Sequence, residues 1–202
     1  MTCGRAESAS EIVAAIDRSL PPEPRLRDLM TALGSHASGI FLALIAIPAL
    51  IPAPGIPFGA VFGTVLTIIA CRMAWSGDQH KLPDWLASRP LPPALIRLLT
   101  SRGPALLRVV EHRLKPRAGL LVGNVARPPL ALVIALMGIL IALPIPFGNT
   151  LPGFSVILMG LGLTARDGMA VMSALVLALL ALGSSLALGW ATLWSIAHLL
   201  ML

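Results

Sequence analysis

Apolar residues gather into four long runs, 39–51, 60–75, 128–143 and 154–165, followed by a fifth, 169–202, with no Lys, Arg, Asp or Glu. Within each of the first two pairs the run is broken by prolines. Residues 52–59 read PAPGIPFG, with Pro52, Pro54 and Pro57, and residues 144–153 read PIPFGNTLPG, with Pro144, Pro146 and Pro152. Proline has no amide hydrogen and ends or kinks a helix, so each pair is expected to form a broken helical hairpin. No arm reaches the roughly 20 residues that cross 30 Å of hydrocarbon with comfort. A helix break inside a bilayer is tolerated only where protein or a water-filled cavity covers it.

The two hairpins resemble each other. Laying residues 52–54 over 144–146, a shift of 92 positions, brings Pro57 near Pro152 with a three-residue gap and Arg72 within a residue of Arg166. Apolar hairpins with proline turns also look alike by composition alone. Read as a repeat, paired interrupted segments point to a binding site at the bilayer midplane. The run 169–202 would be about 50 Å long as one helix. It is expected to be either strongly tilted or split at Gly183, Ser184 and Ser185, with Trp190 and Trp194 in an interfacial belt.

Two segments are polar. In residues 11–20, Ile12, Val13 and Ile16 share one helical face and Asp17 and Arg18 the other, and Pro21, Pro22 and Pro24 end the stretch. An amphipathic helix on the cytoplasmic surface is expected here. Glu7 and Glu11 stand where a cleavable signal needs its apolar centre, so none is expected. Residues 77–127 hold two short amphipathic stretches, 91–99 and 106–114, with Arg97, Arg108 and Arg113 on the polar face, suited to an anionic leaflet.

Composition places these runs in a membrane. The chain is 56% hydrophobic and 12% charged with a mean hydropathy of +0.87, whereas a soluble domain is about 25% charged. The net charge of +6 is carried by residues 77–127, which hold nine Lys and Arg against three acids. With no interleaved aromatics this is not a nucleic-acid stripe. It is the signature of a cytoplasmic loop, because Lys and Arg beside spans resist translocation.

Chemistry-bearing residues are few. Cys3 and Cys71 form no framework, and His36, His80, His112 and His198 have no metal-ligand spacing, so no metal and no cofactor is expected. No GxSxG, Walker loop or GxGxxG occurs. Ionisable residues in apolar sequence are site candidates, and after residue 127 Arg166 and Asp167 are the only residues among Lys, Arg, Asp and Glu. Two accounts fit them: a cavity at the end of the short arm, or an interfacial turn in which Asp167 caps the next helix. Asn149 and Thr150 are the polar centre of the second break. If a half-helix starts at Pro152 or Gly153, its amides face an anion beside them. Equally, both side chains could satisfy backbone groups freed by the prolines.

LPIPFGNTLPG at 143–153, ARDG at 165–168, KPR at 115–117 and the LPxWL element at 82–86 together resemble the ExoD family of bacterial exopolysaccharide-synthesis membrane proteins. The resemblance runs from about residue 29 to the C-terminus and departs from the family pattern at 71–77. It implies a short inner-membrane protein and a process, without an activity.

The resulting expectation is an all-α, multi-pass bundle of the bacterial inner membrane. Its parts are an N-terminal segment (1–36), a first broken hairpin (37–76), a basic loop (77–127), and a second hairpin with C-terminal helices (128–202). Covering the breaks calls for a homodimer. The function expected is transporter-like or channel-like, with Asn149, Thr150, Arg166 and Asp167 binding a small anionic solute. The rivals are an enzyme on a lipid-linked phosphate or sugar and a non-transporting assembly factor.

Overall fold

The computed structural model describes residues 13, 21, 24–50, 58–76, 87–91, 96–97, 101, 105, 108, 112, 114, 121–123, 125–143 and 148–200. The described residues form six α-helices and a 3₁₀ turn, with no strand among them: α1 (Leu26–Leu33), the turn Gly34–His36, α2 (Ala37–Ala49), α3 (Phe58–Ser76), α4 (Arg127–Ala142), α5 (Thr150–Thr164) and α6 (Gly168–Leu200). The all-helical expectation holds. Pro52, Pro54, Pro57, Pro144 and Pro146 lie outside the described residues, as do most of 1–23 and 77–120.

Helix α1 was not anticipated. The Arg25 amide donates to Asp28 Oδ2 at 2.8 Å, which starts the helix, and Leu26, Leu29, Met30 and Leu33 are buried on its inner side. Val13, expected to face the membrane surface, is helical and fully buried in the protein core. The segment before α1 is tied to the loop by two hydrogen bonds, Leu26 N–H to the Arg89 carbonyl and Leu91 N–H to that of Pro24. Arg97 and Arg108 are helical and exposed.

The proline positions explain the helix boundaries. Pro48 lies inside α2 one residue from its end; it has no amide hydrogen to give the Leu44 carbonyl, and the helix stops just beyond it. Pro128 and Pro129 occupy the first turn of α4, where amides have no intrahelical partner in any case. Pro152 likewise sits in the first turn of α5, which begins at Thr150. It therefore belongs to the helix rather than to the break, and α5 starts earlier than Pro152 or Gly153.

Helix α6 is continuous over 33 residues, so the split expected at Gly183, Ser184 and Ser185 does not occur. The Ser184 hydroxyl donates to the Ala181 carbonyl at 3.0 Å within the same helix, and a lone glycine costs a helix only about 1 kcal/mol. The portion Gly168–Thr192 is, among the described residues, the one helix long and apolar enough to cross a membrane by length and composition. The four hairpin arms have 13, 19, 16 and 15 residues.

These arms pack in a crossed way. Helix α2 lies along α5 and α3 along α4, so each hairpin's first arm rests on the other hairpin's second arm; α6 covers α5. Both crossings are antiparallel and run through glycine pairs. A β-carbon on Gly63 would lie 2.5 Å from the Gly138 carbonyl oxygen, and one on Gly138 would lie 2.8 Å from that of Gly63. Gly39 and Gly160 meet in the same reciprocal manner. Small residues let backbones approach closely where helices associate without a strong hydrophobic drive. Around them Leu42, Leu66, Ile134, Met137, Ile141 and Met159 are fully buried.

Candidate functional site

The crossed packing carries the flanks of the two breaks to one end of the bundle. Leu50, which follows α2, packs its side chain against Gly153 of α5. Gly59, at the start of α3, faces Asn149 and the end of α4: a β-carbon there would lie 2.5 Å from Asn149 Nδ2 and 2.7 Å from the Ile141 carbonyl oxygen. Gly59 of the first hairpin thus lies beside Asn149 and Ile141 of the second, and Leu50 beside Gly153 one turn further along α5.

Asn149 occupies the N-cap position of α5 but its side chain makes no capping hydrogen bond. The first intrahelical bond is donated by Gly153 N–H to the Asn149 carbonyl at 3.0 Å. The amides of Thr150 and Leu151 precede it, at the positive end of the helix dipole. Asn149 Oδ1 is buried with no hydrogen-bond partner among the described residues. Leaving a buried acceptor unsatisfied costs about 1–3 kcal/mol. Thr150 is exposed and Gly148 buried.

Arg166 and Asp167 are at the opposite end of α5, about 22 Å away by helical rise, so the four expected site residues do not form one cluster. Their geometry is that of a helix joint. Arg166 has φ +52, the left-handed position just after a helix. Asp167 N–H donates to the Gly162 carbonyl at 2.9 Å and Arg166 N–H to that of Leu163 at 3.4 Å, the paired bonds of a Schellman end. Asp167 Oδ1 then accepts from the amides of Met169 at 2.9 Å and Ala170 at 3.4 Å, capping α6. Its residue is 4% exposed. The ARDG element is thereby explained as a stop for α5 and a start for α6.

At that same end His36 Nδ1 donates to the Thr164 carbonyl at 3.0 Å, tying the 3₁₀ turn to the last turn of α5. The sequence reading missed His36, and it missed Gly59 beside Asn149 and Ile141 and Leu50 beside Gly153. One signal pointed to Gly59: the tetrapeptide IPFG stands at 56–59 and again at 145–148, immediately before Asn149.

The comparison with known proteins agrees in extent with the motifs. The model of the family described as "Exopolysaccharide synthesis, ExoD" matches residues 9–187. Protein ExoD of Rhizobium meliloti is 32% identical over 157 residues, which cover 72% of this chain and 62%, under two thirds, of that protein. An uncharacterized protein of Synechocystis sp. is 24% identical over 149 residues, 73% of this chain and 70% of that one. No solved structure matches the chain. With the family pattern running from before α1 into α6, the chain belongs to the ExoD family of exopolysaccharide synthesis.

Proposed function

We propose that this chain is a transporter-like component of exopolysaccharide synthesis that binds a small anionic, hydroxyl-bearing solute between its two broken hairpins. It works as a multi-pass protein of the bacterial inner membrane, as a homodimer that covers the broken backbone. The observation that carries this reading is the convergence of both break flanks on Asn149, whose buried Oδ1 has no partner among the described residues. That oxygen calls for a hydrogen-bond donor. The amides of Thr150 and Leu151, at the dipole's positive end, call for an acceptor with negative charge. A sugar acid or sugar phosphate supplies both. The helix ends support the internal repeat, since Phe58 and Thr150 are 92 positions apart and Ala49 and Ala142 are 93 apart. Asp167, the one carboxylate after residue 127, is engaged as a cap, which removes the acid/base group a membrane enzyme would need from this part of the chain.

The test is uptake of radiolabelled glucuronate and glucose 1-phosphate by proteoliposomes holding the purified protein. Asn149→Leu should reduce uptake to the level of empty vesicles. Asp167→Ala should lose about 1 kcal/mol of stability, the usual worth of a cap, and keep its uptake. If Asn149→Leu transports normally, the site is elsewhere; if the wild-type protein moves neither solute, the assembly-factor role replaces transport.

In this reading the basic segment 77–127 faces the cytoplasm, following the distribution of Lys and Arg. A Ser101→Cys variant lacking Cys3 and Cys71 should react with an impermeant maleimide only after the cells are permeabilised. Reaction in intact cells would reverse the topology.

A further inference from the structure

We propose that Ser185 of α6 is a second polar contact of the solute site and reads a hydroxyl of the solute, so that α6 forms a wall of that site. The inference rests on the solute reading above. Two buried side-chain atoms have no hydrogen-bond partner among the described residues, Asn149 Oδ1 and Ser185 Oγ. Other hydroxyls of α6 are satisfied by their own helix: Ser173 donates to the Met169 carbonyl, Thr192 to that of Gly189 and Ser195 to that of Ala191. For Ser185 the carbonyl four residues back is that of Ala181, which already takes the Ser184 hydroxyl at 3.0 Å. Ser185 is 4% exposed. A buried hydroxyl left unpaired carries the full cost of its desolvation.

Register places this hydroxyl at the end of the bundle where Asn149 stands. Val171, Ala174, Ala178, Ala181 and Ser185 follow one another at steps of three and four residues and are all buried, so they form the inward face of α6, which packs on α5 and α4. Helix α6 runs antiparallel to α5, since Gly162 meets Ala170 and Val171 while the Ser155 hydroxyl donates to the Ala174 carbonyl at 2.8 Å. From that last contact Asn149 lies about 9 Å back along α5 and Ser185 about 17 Å onward along α6. Ser185 therefore continues the inward face about 8 Å beyond the level of Asn149. With helix axes about 8–10 Å apart, the two residues are separated by on the order of 12 Å. Two hydrogen bonds of about 3 Å each leave room between them for one sugar unit. The two groups also differ in chemistry. Asn149 Oδ1 only accepts, whereas a serine hydroxyl both donates and accepts, and a sugar hydroxyl answers it in both senses.

The test is a binding titration of the full chain in detergent with glucuronate or glucose 1-phosphate, whichever the wild type takes, and with the single-deoxy analogues of that solute. Wild type should bind one analogue about tenfold more weakly than the parent, the worth of one hydrogen bond. Ser185→Ala should bind the parent about tenfold more weakly and no longer distinguish it from that analogue. Without solute it should melt at or above the wild-type temperature, because the unpaired buried hydroxyl is gone. Ser184→Ala, which removes a hydroxyl bonded within α6, should keep the wild-type affinity and discrimination. Wild-type discrimination by Ser185→Ala, a clearly lower melting temperature for it without solute, or an equal loss in Ser184→Ala would overturn the inference. If Asn149→Leu abolishes binding while Ser185→Ala binds as wild type, Ser185 is outside the site and the solute reading stands. If wild type binds neither parent solute, both fall.

Discussion

Leucine in place of Gly63 or Gly138 is expected to prevent the bundle from assembling. At either position the first added carbon meets a backbone carbonyl of the partner helix 2.5 to 2.8 Å away, and the rest of the side chain has no space to enter. A side-chain obstacle can rotate aside. A main-chain carbonyl moves only if the whole helix moves, and α3 and α4 touch along most of their length. Overpacking a core usually costs about 1–3 kcal/mol, and a backbone obstacle places these variants at or above the top of that range. Against a total stability of about 5–15 kcal/mol, the loss is large. Gly183→Leu and Gly189→Leu on α6 are the matched controls, since nothing lies within 4 Å of either position; they should melt at or above the wild-type temperature because leucine is the better helix former. Far-UV circular dichroism melting in detergent checks the set. A Gly138→Leu protein that melts like the wild type would show that the close crossing does not hold the hairpins together.

Gly59→Ala should abolish uptake in a protein that still inserts, whereas Gly153→Ala should leave it nearly intact. The two positions both lie where the break flanks meet, but their neighbours differ in kind. A methyl on Gly59 would be 2.5 Å from the Asn149 amide nitrogen and 2.7 Å from the Ile141 backbone oxygen, so Asn149 must leave its place. A methyl on Gly153 meets only the Leu50 side chain, Cδ2 at 2.5 Å and Cγ at 2.9 Å, which can yield by changing rotamer without moving backbone. Displacement of a binding group by an ångström can lower a rate by about 100-fold. The check is uptake per folded molecule in proteoliposomes, with the folded fraction taken from thermal melts. Equal losses in the two variants would mean that Asn149 is not the group that matters.

Much of the architecture was legible because proline and charge act locally. The helices α2 to α5 follow from the apolar runs and from where proline removes donors; the break residues 51–57 and 144–147 lie outside the described residues. Asp167 was legible only as two open accounts. Distance resolved it, since the Met169 and Ala170 amides both donate to the carboxylate, which is thus used by its own neighbours. Three features were not legible. Gly183, Ser184 and Ser185 suggested a break, but a helix supplies carbonyls that its own hydroxyls can reach. Helix α1 was overlooked because Pro21, Pro22 and Pro24 drew attention to an ending rather than to the start that Asp28 makes possible. The pairing of Gly63 with Gly138 and of Gly39 with Gly160 depends on which helices cross, and no local pattern states that. The convergence on Asn149 follows from the same crossings, so it too was hidden.

Because each hairpin leans on the other more than on itself, the chain has a timing problem during synthesis. Gly39 and Gly63 leave the ribosome about a hundred residues before Gly160, the last of their partners. At about 5–20 residues per second this is a wait of roughly 5–20 s. Throughout that interval α2 and α3 have open seams where α5 and α4 will later lie, and something other than this chain must cover them. Hence the bundle is completed late, when residues 127–164 arrive, and residues 77–126 are the covalent tether that keeps α2 and α3 close enough to be met.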